Sequence, residues 1–244
     1  MPNSKSKLLA TQHPFSVFLT IYFILLININ VKSDSVSFNF PRFDASNRSF
    51  AVDSDTDATI SRTGILQLTK EDQHGNPTQH SVGIAGFFGT IPLSNKSSSK
   101  IANFTTQFSF VVDPEGSQHS TPPKTRLSPS SLIALRMSGT PTSHCHSPHI
   151  GININSIRSV ATVPWARDSE PLAAIGVACI SYESAYKMLN VSVAFYPNNP
   201  VTVLSYPVDF SAILSERVLI GFSAATGEVV ETHDILSWSF TSSL

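Results

Sequence analysis

The feature that most constrains the fold is a two-residue period that returns along most of the chain. Over residues 101–112 bulky groups recur at Phe104, Phe108, Phe110 and Val112, with Thr106 among them, on one face of an extended segment. Shorter runs repeat it: Val36, Phe38 and Phe40 near the start, Ile150, Ile152 and Ile154 after His149, and Leu189, Val191, Val193 and Phe195 later on. Near the C-terminus Leu236, Trp238 and Phe240 alternate with Ile235, Ser237 and Ser239, which predicts a strand with one bulky apolar edge and one mostly of hydroxyls. Further strands are expected over residues 65–69 and 82–93, which with 101–112 read as the core of one sheet. A hairpin is expected from 172–182 to 189–195, and a strand over 201–204. Only residues 211–216 read as a helical turn. Short strands separated by turn signals such as Gly75-Asn76-Pro77 point to an all-β sandwich of antiparallel sheets.

At 244 residues, 41% hydrophobic and 14% charged, the chain can bury the core of one large domain. A net charge of −1 with scattered Lys and Arg argues against nucleic acid or an anionic membrane surface as partner. The N-terminus reads as an address: Lys5 and Lys7 precede an apolar run at 15–27, and Val31 and Ser33 supply small residues before Asp34. That pattern is a secretory signal peptide over 1–33, leaving 34–244 as a single domain. The run is short for a membrane span, so no membrane association is expected after cleavage. The expected destination is extracellular or vacuolar. Sequons make Asn47, Asn95, Asn103 and Asn190 candidate glycosylation sites. Cys145 and Cys179 are the only cysteines, and their spacing leaves open whether they pair.

Residues 218–240, VLIGFSAATGEVVETHDILSWSF, read as strand, exposed loop, strand. This stretch closely resembles the C-terminal signature of legume lectins, and SFNF, LQLTK, SVG, FTTQFSFVV and HIGININSIRSVATVPW resemble runs of the same family. The resemblance spans roughly 35–112 and 149–240. It implies a legume-lectin-type jelly-roll sandwich of antiparallel sheets, glycans as partners, and a homo-oligomer formed by pairing of flat back sheets. It further implies that Gly227, Glu228 and Val229 occupy the variable wall loop of a sugar pocket, with Glu231, Thr232 and His233 just behind.

Residues 113–148 break the pattern. They hold six of the 16 prolines, and those rings leave little room for a central strand, so the segment reads as a long loop with at most a short strand at 132–137. The resemblance implies that this region carries a loop Asp, a glycine-rich loop, and a strand with an acidic-x-acidic pair followed by an aromatic, an Asn and a further Asp. In the family those groups hold Ca and Mn, which brace a sugar-binding Asp and Asn. Calcium takes six to eight oxygens, carboxylates among them, yet Asp113 and Glu115 are the only carboxylates of the segment. His149 matches the transition-metal histidine, and His144 stands where a bridging Asp belongs. The acceptor Asp, donor Asn and stacking aromatic have no matched positions. Metal-dependent sugar binding is therefore expected to be weakened or lost.

Other chemistries fit less well. His144, Cys145, His146 and His149 form a dense local set, but their spacing matches no closed zinc pattern. Asp113 and Glu115, two apart on a solvated turn, lack the facing and burial that split a catalytic carboxylate pair. No phosphate-cradling glycine loop or nucleophile elbow is present, and the chain does not read as an enzyme. The favoured reading is a secreted lectin-like carbohydrate-binding protein. The alternative is a lectin-fold defence or storage protein that binds a protein partner, as the bean amylase inhibitors and arcelins of this family do. A third reading, that 113–148 marks a spliced-out segment, is checked by sequencing the transcript.

Overall fold

The computed structural model describes residues 34–113, 133–138, 149–164, 175–196, 201–228 and 230–244, with backbone alone over 133–138. In chain order the strands are β1 (Ser35–Phe40), β2 (Phe50–Val52), β3 (Thr59–Ile60), β4 (Leu66–Gln67), β5 (Val82–Phe87), β6 (Ile91–Pro92), β7 (Ser94–Asn95), β8 (Lys100–Ile101) and β9 (Asn103–Asp113). There follow β10 (Ile133–Ser138), β11 (His149–Ile154), β12 (Ser159–Pro164), β13 (Ile175–Glu183), β14 (Met188–Phe195), β15 (Thr202–Pro207), the short helix α1 (Phe210–Ile213), β16 (Arg217–Val218), β17 (Gly221–Ala225) and β18 (Thr232–Ser243).

The large sheet runs β15-β14-β13-β9-β18-β4-β3, all antiparallel, with β1 also paired to β18. Its centre is β9 beside β18, because both are long and each buries one apolar face. Phe108 and Phe110 of β9 and Trp238 and Phe240 of β18 are buried, whereas Gln107 and Thr105 on the other face of β9 are exposed. Trp238 joins the layers. Its ring lies 4.7 Å from Phe38 of β1 and 4.7 Å from Phe222 of β17, and its indole N–H donates to the Thr106 hydroxyl at 2.8 Å. Such aromatic contacts add to simple area burial, and the paired N–H removes the cost of burying it.

β18 departs from the strict alternation expected of it. Its outer partner changes from β1, at Trp238–Ser243, to β4, at Asp234 and Ile235, and the register with β9 shifts between Ile235 and Ser237. The extra residue is Leu236, which is only half-buried, while Ile235 takes the core position at 5% exposure. A bulge inserts one residue and moves every later side chain to the opposite face. Leu236 is thus not the core partner of Trp238 and Phe240 that the alternation suggested.

The expected strand over 82–93 is also corrected. It divides into β5 and β6, and neither belongs to the sheet of β9: β5 pairs β17 and β2, and β6 pairs β16. In β5 the small residues face inward. Ala85 is 3% exposed, whereas Val82 and Ile84 are each 44% exposed. The inward face is restricted because a Cβ on Gly83 would lie 1.7 Å from the Leu68 carbonyl oxygen, so the two backbones approach where no other residue fits. β10-β11-β12 forms a second three-stranded sheet, whose Ile150 and Ile152 enter the same core as Phe108 and Phe110. β10 is the short strand allowed for near 132–137. The helical turn lies slightly earlier than expected, at Phe210–Ile213, capped by the Asp209 carboxylate accepting from the Ser211 amide. Phe210 stacks on Tyr182 at 4.3 Å, and the Tyr182 hydroxyl donates to the Val208 carbonyl at 3.0 Å. Residues 1–33, expected to be a signal peptide, and Glu115, His144, Cys145 and His146 lie outside the described residues, while Cys179 sits in β13 opposite Gln107 and Ser192.

Candidate functional site

Between β17 and β18 the chain turns through residues 226–231, and a second segment, 69–81, lies against it. Thr226 is the fixed point. It is 5% exposed; its amide donates to the Ser81 carbonyl at 2.9 Å, its hydroxyl donates to the Thr78 carbonyl at 2.7 Å, and the same oxygen accepts from the Ser81 amide at 3.0 Å. Further out, the Gly227 carbonyl accepts from the His80 amide at 3.3 Å, and the Glu228 carbonyl accepts from the Gln79 side-chain amide at 3.0 Å. Gly227 is buried and Glu228 exposed, so the first half of the expected wall loop is tied down and the second begins in solvent; Val229 lies outside the described residues.

The supporting segment is shaped by its own sequence. Glu71 and Pro77 bridge its base, and the Asp72 carboxylate accepts from the amides of His74 and Asn76 and from the Asn76 side chain. Those hydrogen bonds, Asn76 foremost, hold the Asp72 carboxyl below its ordinary range. Gly75 supplies the positive φ of 85° that the turn needs. His80 also has positive φ, 56°, a conformation uncommon outside glycine.

Behind the loop, the Thr69 hydroxyl donates to the Glu231 carbonyl at 3.3 Å, His233 Nε2 meets the Glu231 carboxylate at 3.2 Å, and the Leu68 amide donates to the His233 carbonyl at 2.9 Å. Asp234 stands opposite Gln67, and its carboxyl is pushed up to about 6, first by desolvation and then by Glu71, with His233 acting the other way. One of its oxygens is buried without a hydrogen-bond partner.

His149 is buried in β11. Its register neighbours are Ser138 on β10 and Pro164 on β12, and two positions along β10 Arg136 stands opposite Gly151. Where the resemblance implies an acidic-x-acidic pair, β10 carries Arg136 and Ser138 at these register positions. Among the described residues no three His, Cys, Asp or Glu side chains group closely enough to hold a metal ion. By the chemistry of these donors, the Ca and Mn that the family implies do not fit the described residues. Asp113 lies at the end of β9 opposite Thr232, on a different sheet from His149. Asn153, on the His149 strand, is structural: its amide donates to the Ile157 carbonyl and accepts from the Ser159 hydroxyl, closing the β11–β12 hairpin.

The sequons differ in setting. Asn47, Asn95 and Asn103 are exposed, whereas Asn190 is half-buried in β14, its side chain accepting from the Ser205 hydroxyl at 2.7 Å. The sequence marks a loop between two strands here, as found, but gives no sign of Gln79 and Thr226 as its supports. A pair such as Gln79 and Glu228, 149 positions apart, leaves no local periodicity from which to find it.

Comparison with known proteins agrees with this architecture. The legume lectin domain profile matches residues 35–123 and 137–244. Lectin 8 of Medicago truncatula is 50% identical over 281 aligned positions covering all of both chains, and Agglutinin-2 of Cladrastis kentukea is 36% identical over 100% of this chain and 94% of its own. Since 281 positions align with a chain of 244 residues, at least 37 of them face a gap in this chain. Among solved structures, basic winged bean lectin with Tn-antigen superposes with a TM-score of 0.75 at 32% identity, covering 86% of this chain and 99% of its own. Arcelin-5 of Phaseolus vulgaris, at 24% identity and a TM-score of 0.70 over 86% of this chain and 98% of its own, shares the fold. With antiparallel sheets in a jelly roll and matches over most of its length, the chain belongs to the legume lectin domain family, whose members bind carbohydrate.

Proposed function

We propose that the protein is a secreted lectin-fold glycan binder whose grip on sugar does not run through the family's paired metal ions. The observation that carries this reading is the pairing of His149 with a strand that offers Ser138 and Arg136 in place of carboxylates. At those register positions an arginine and a serine supply none of the anionic oxygens such ions require. What remains for ligand recognition is the wall: the backbone of Gly227 and Glu228, the exposed Glu228 side chain, and their supports at Gln79 and His80. Backbone amides, carbonyls and a carboxylate suit sugar hydroxyls, although fewer converging groups make for weaker binding. Entry to the secretory pathway through residues 1–33 would give the exposed sequons access to the glycosylation machinery.

The test is a glycan array run on the purified secreted protein with and without chelator, alongside elemental analysis. The expected outcome is sub-stoichiometric calcium and manganese, with weak array signals unchanged by EDTA. Two bound ions per chain with chelator-sensitive binding would overturn the reading. An array silent under every condition, from a protein with an intact β-sheet circular dichroism spectrum, would favour the second reading, a lectin-fold defence or storage protein directed at a protein partner, which the same shortage of carboxylates motivates.

A further inference from the structure

We propose that Gln79 is a positioning residue for ligand selection: its side-chain hydrogen bond to the Glu228 carbonyl, beside the His80 amide on the Gly227 carbonyl, fixes the shape of the wall loop and so sets which sugars fit against it. The selection part rests on the glycan-binding reading above; the loop-holding part does not.

Two consecutive carbonyls of the loop are held by two consecutive residues of the 69–81 segment, so the two stretches move as a unit or not at all. At the inner end Thr226 is buried and bonded through both its backbone and its hydroxyl to Thr78 and Ser81, so that end has little freedom. The outer end is different. Gln79 and Glu228 are both exposed, and a single side-chain hydrogen bond joins Gln79 to the Glu228 carbonyl. A side-chain amide on a flexible three-carbon stem is an adjustable support, because its length and donor character decide where the carbonyl rests. His80 contributes from the backbone, in a left-handed conformation uncommon for a side-chain-bearing residue. Strain of this kind persists where surrounding bonds over-determine it. Here the amide of the same residue reaches Gly227. The two supports thus bracket the Glu228 position, and a shift there moves the backbone against which a ligand would lie.

Because Gln79 is exposed, its substitution removes the support and leaves the core untouched. In the full chain expressed through a secretory host, Q79M keeps the length and loses the donor, while Q79K restores a donor of similar reach. Hydrogen exchange of the peptide covering 226–231 is expected to quicken about five-fold in Q79M, with Tm unchanged, and to return to the native rate in Q79K. On the glycan array Q79M is expected to reorder the preferred sugars by several-fold, where a general loss of stability would dim all of them alike. Native exchange rates in Q79M, or no recovery in Q79K, would overturn the loop-holding role. A loosened loop with an unchanged order of sugars would overturn the selection role. If the native protein binds no glycan at all, the glycan-binding reading fails and the selection role fails with it, while the exchange comparison still decides whether Gln79 holds the loop.

Discussion

The sheet built on β9 and β18 and the short strands that face it are made in different ways. β9 and β18 stay side by side over eleven residue pairs, and their buried faces carry Phe108, Phe110, Trp238 and Phe240. Opposite them, β2 meets β5 over three pairs and β17 meets β5 over five, and the loop beyond β17 is held by side-chain bonds from Thr226 and Gln79. Long ladders with an apolar face resist change, since altering one residue disturbs a whole packed row. Short strands tied by individual hydrogen bonds can be reshaped one bond at a time. Stability is therefore concentrated in the large sheet, and the capacity for local change in the small one.

The strongest challenge to that contrast is Trp238→Ala. It removes the ring that touches β1 and β17 together and should cost about 3–5 kcal/mol in urea unfolding, with the two sheets melting as one. A loss near that of a surface substitution would mean that the layers do not depend on this node. Gly83→Ala attacks the other side. The added Cβ runs into the Leu68 carbonyl, and pushing the two backbones apart should cost about 1–3 kcal/mol, with faster exchange near Leu68 and Ser81 as the local sign. Tyr182→Phe is milder, at about 1 kcal/mol, because it leaves the buried Val208 carbonyl without its donor. Equal stability of Tyr182→Phe and native protein would show that water replaces the hydroxyl.

The effect most telling in shape comes from Asp234. Its carboxyl is raised to about 6 in the fold, chiefly by desolvation, from an ordinary 3.8. Since the folded chain holds this proton more tightly than the unfolded one, the group's contribution is fully present below about 4 and is lost as pH rises through 6. Tm of the native protein should therefore carry a downward component between those values, which Asp234→Asn removes. An identical pH profile in the variant would place the source elsewhere.

Much of this architecture is legible in the residues. The alternation over 101–112 and 189–195 marks the strands that became β9 and β14, and their apolar faces are the buried ones. The order strand, loop, strand was legible from GFSAATG and ETHDILSWSF. The shortage of carboxylates before His149 was legible too, since donor identity is a property of the chain and needs no coordinates. Other features were not. VGIAGF looks uniformly apolar, and only packing against Leu68 puts Gly83 and Ala85 inside while Val82 and Ile84 face solvent. Ile235 and Leu236 are equally suited to a core, and the choice between them fell to the bulge where β18 exchanges β1 for β4.

The chain alone thus determined the period, the class of fold and the shortage of carboxylates before His149, because these follow from which side chains are present and how they are spaced. Tertiary structure decided the register of β18, the inward face of β5 and the support of Glu228 by Gln79. Each of these depends on a partner far along the chain, and a hydrogen bond or contact across such a separation exists only once the sheets have closed and brought the two ends together.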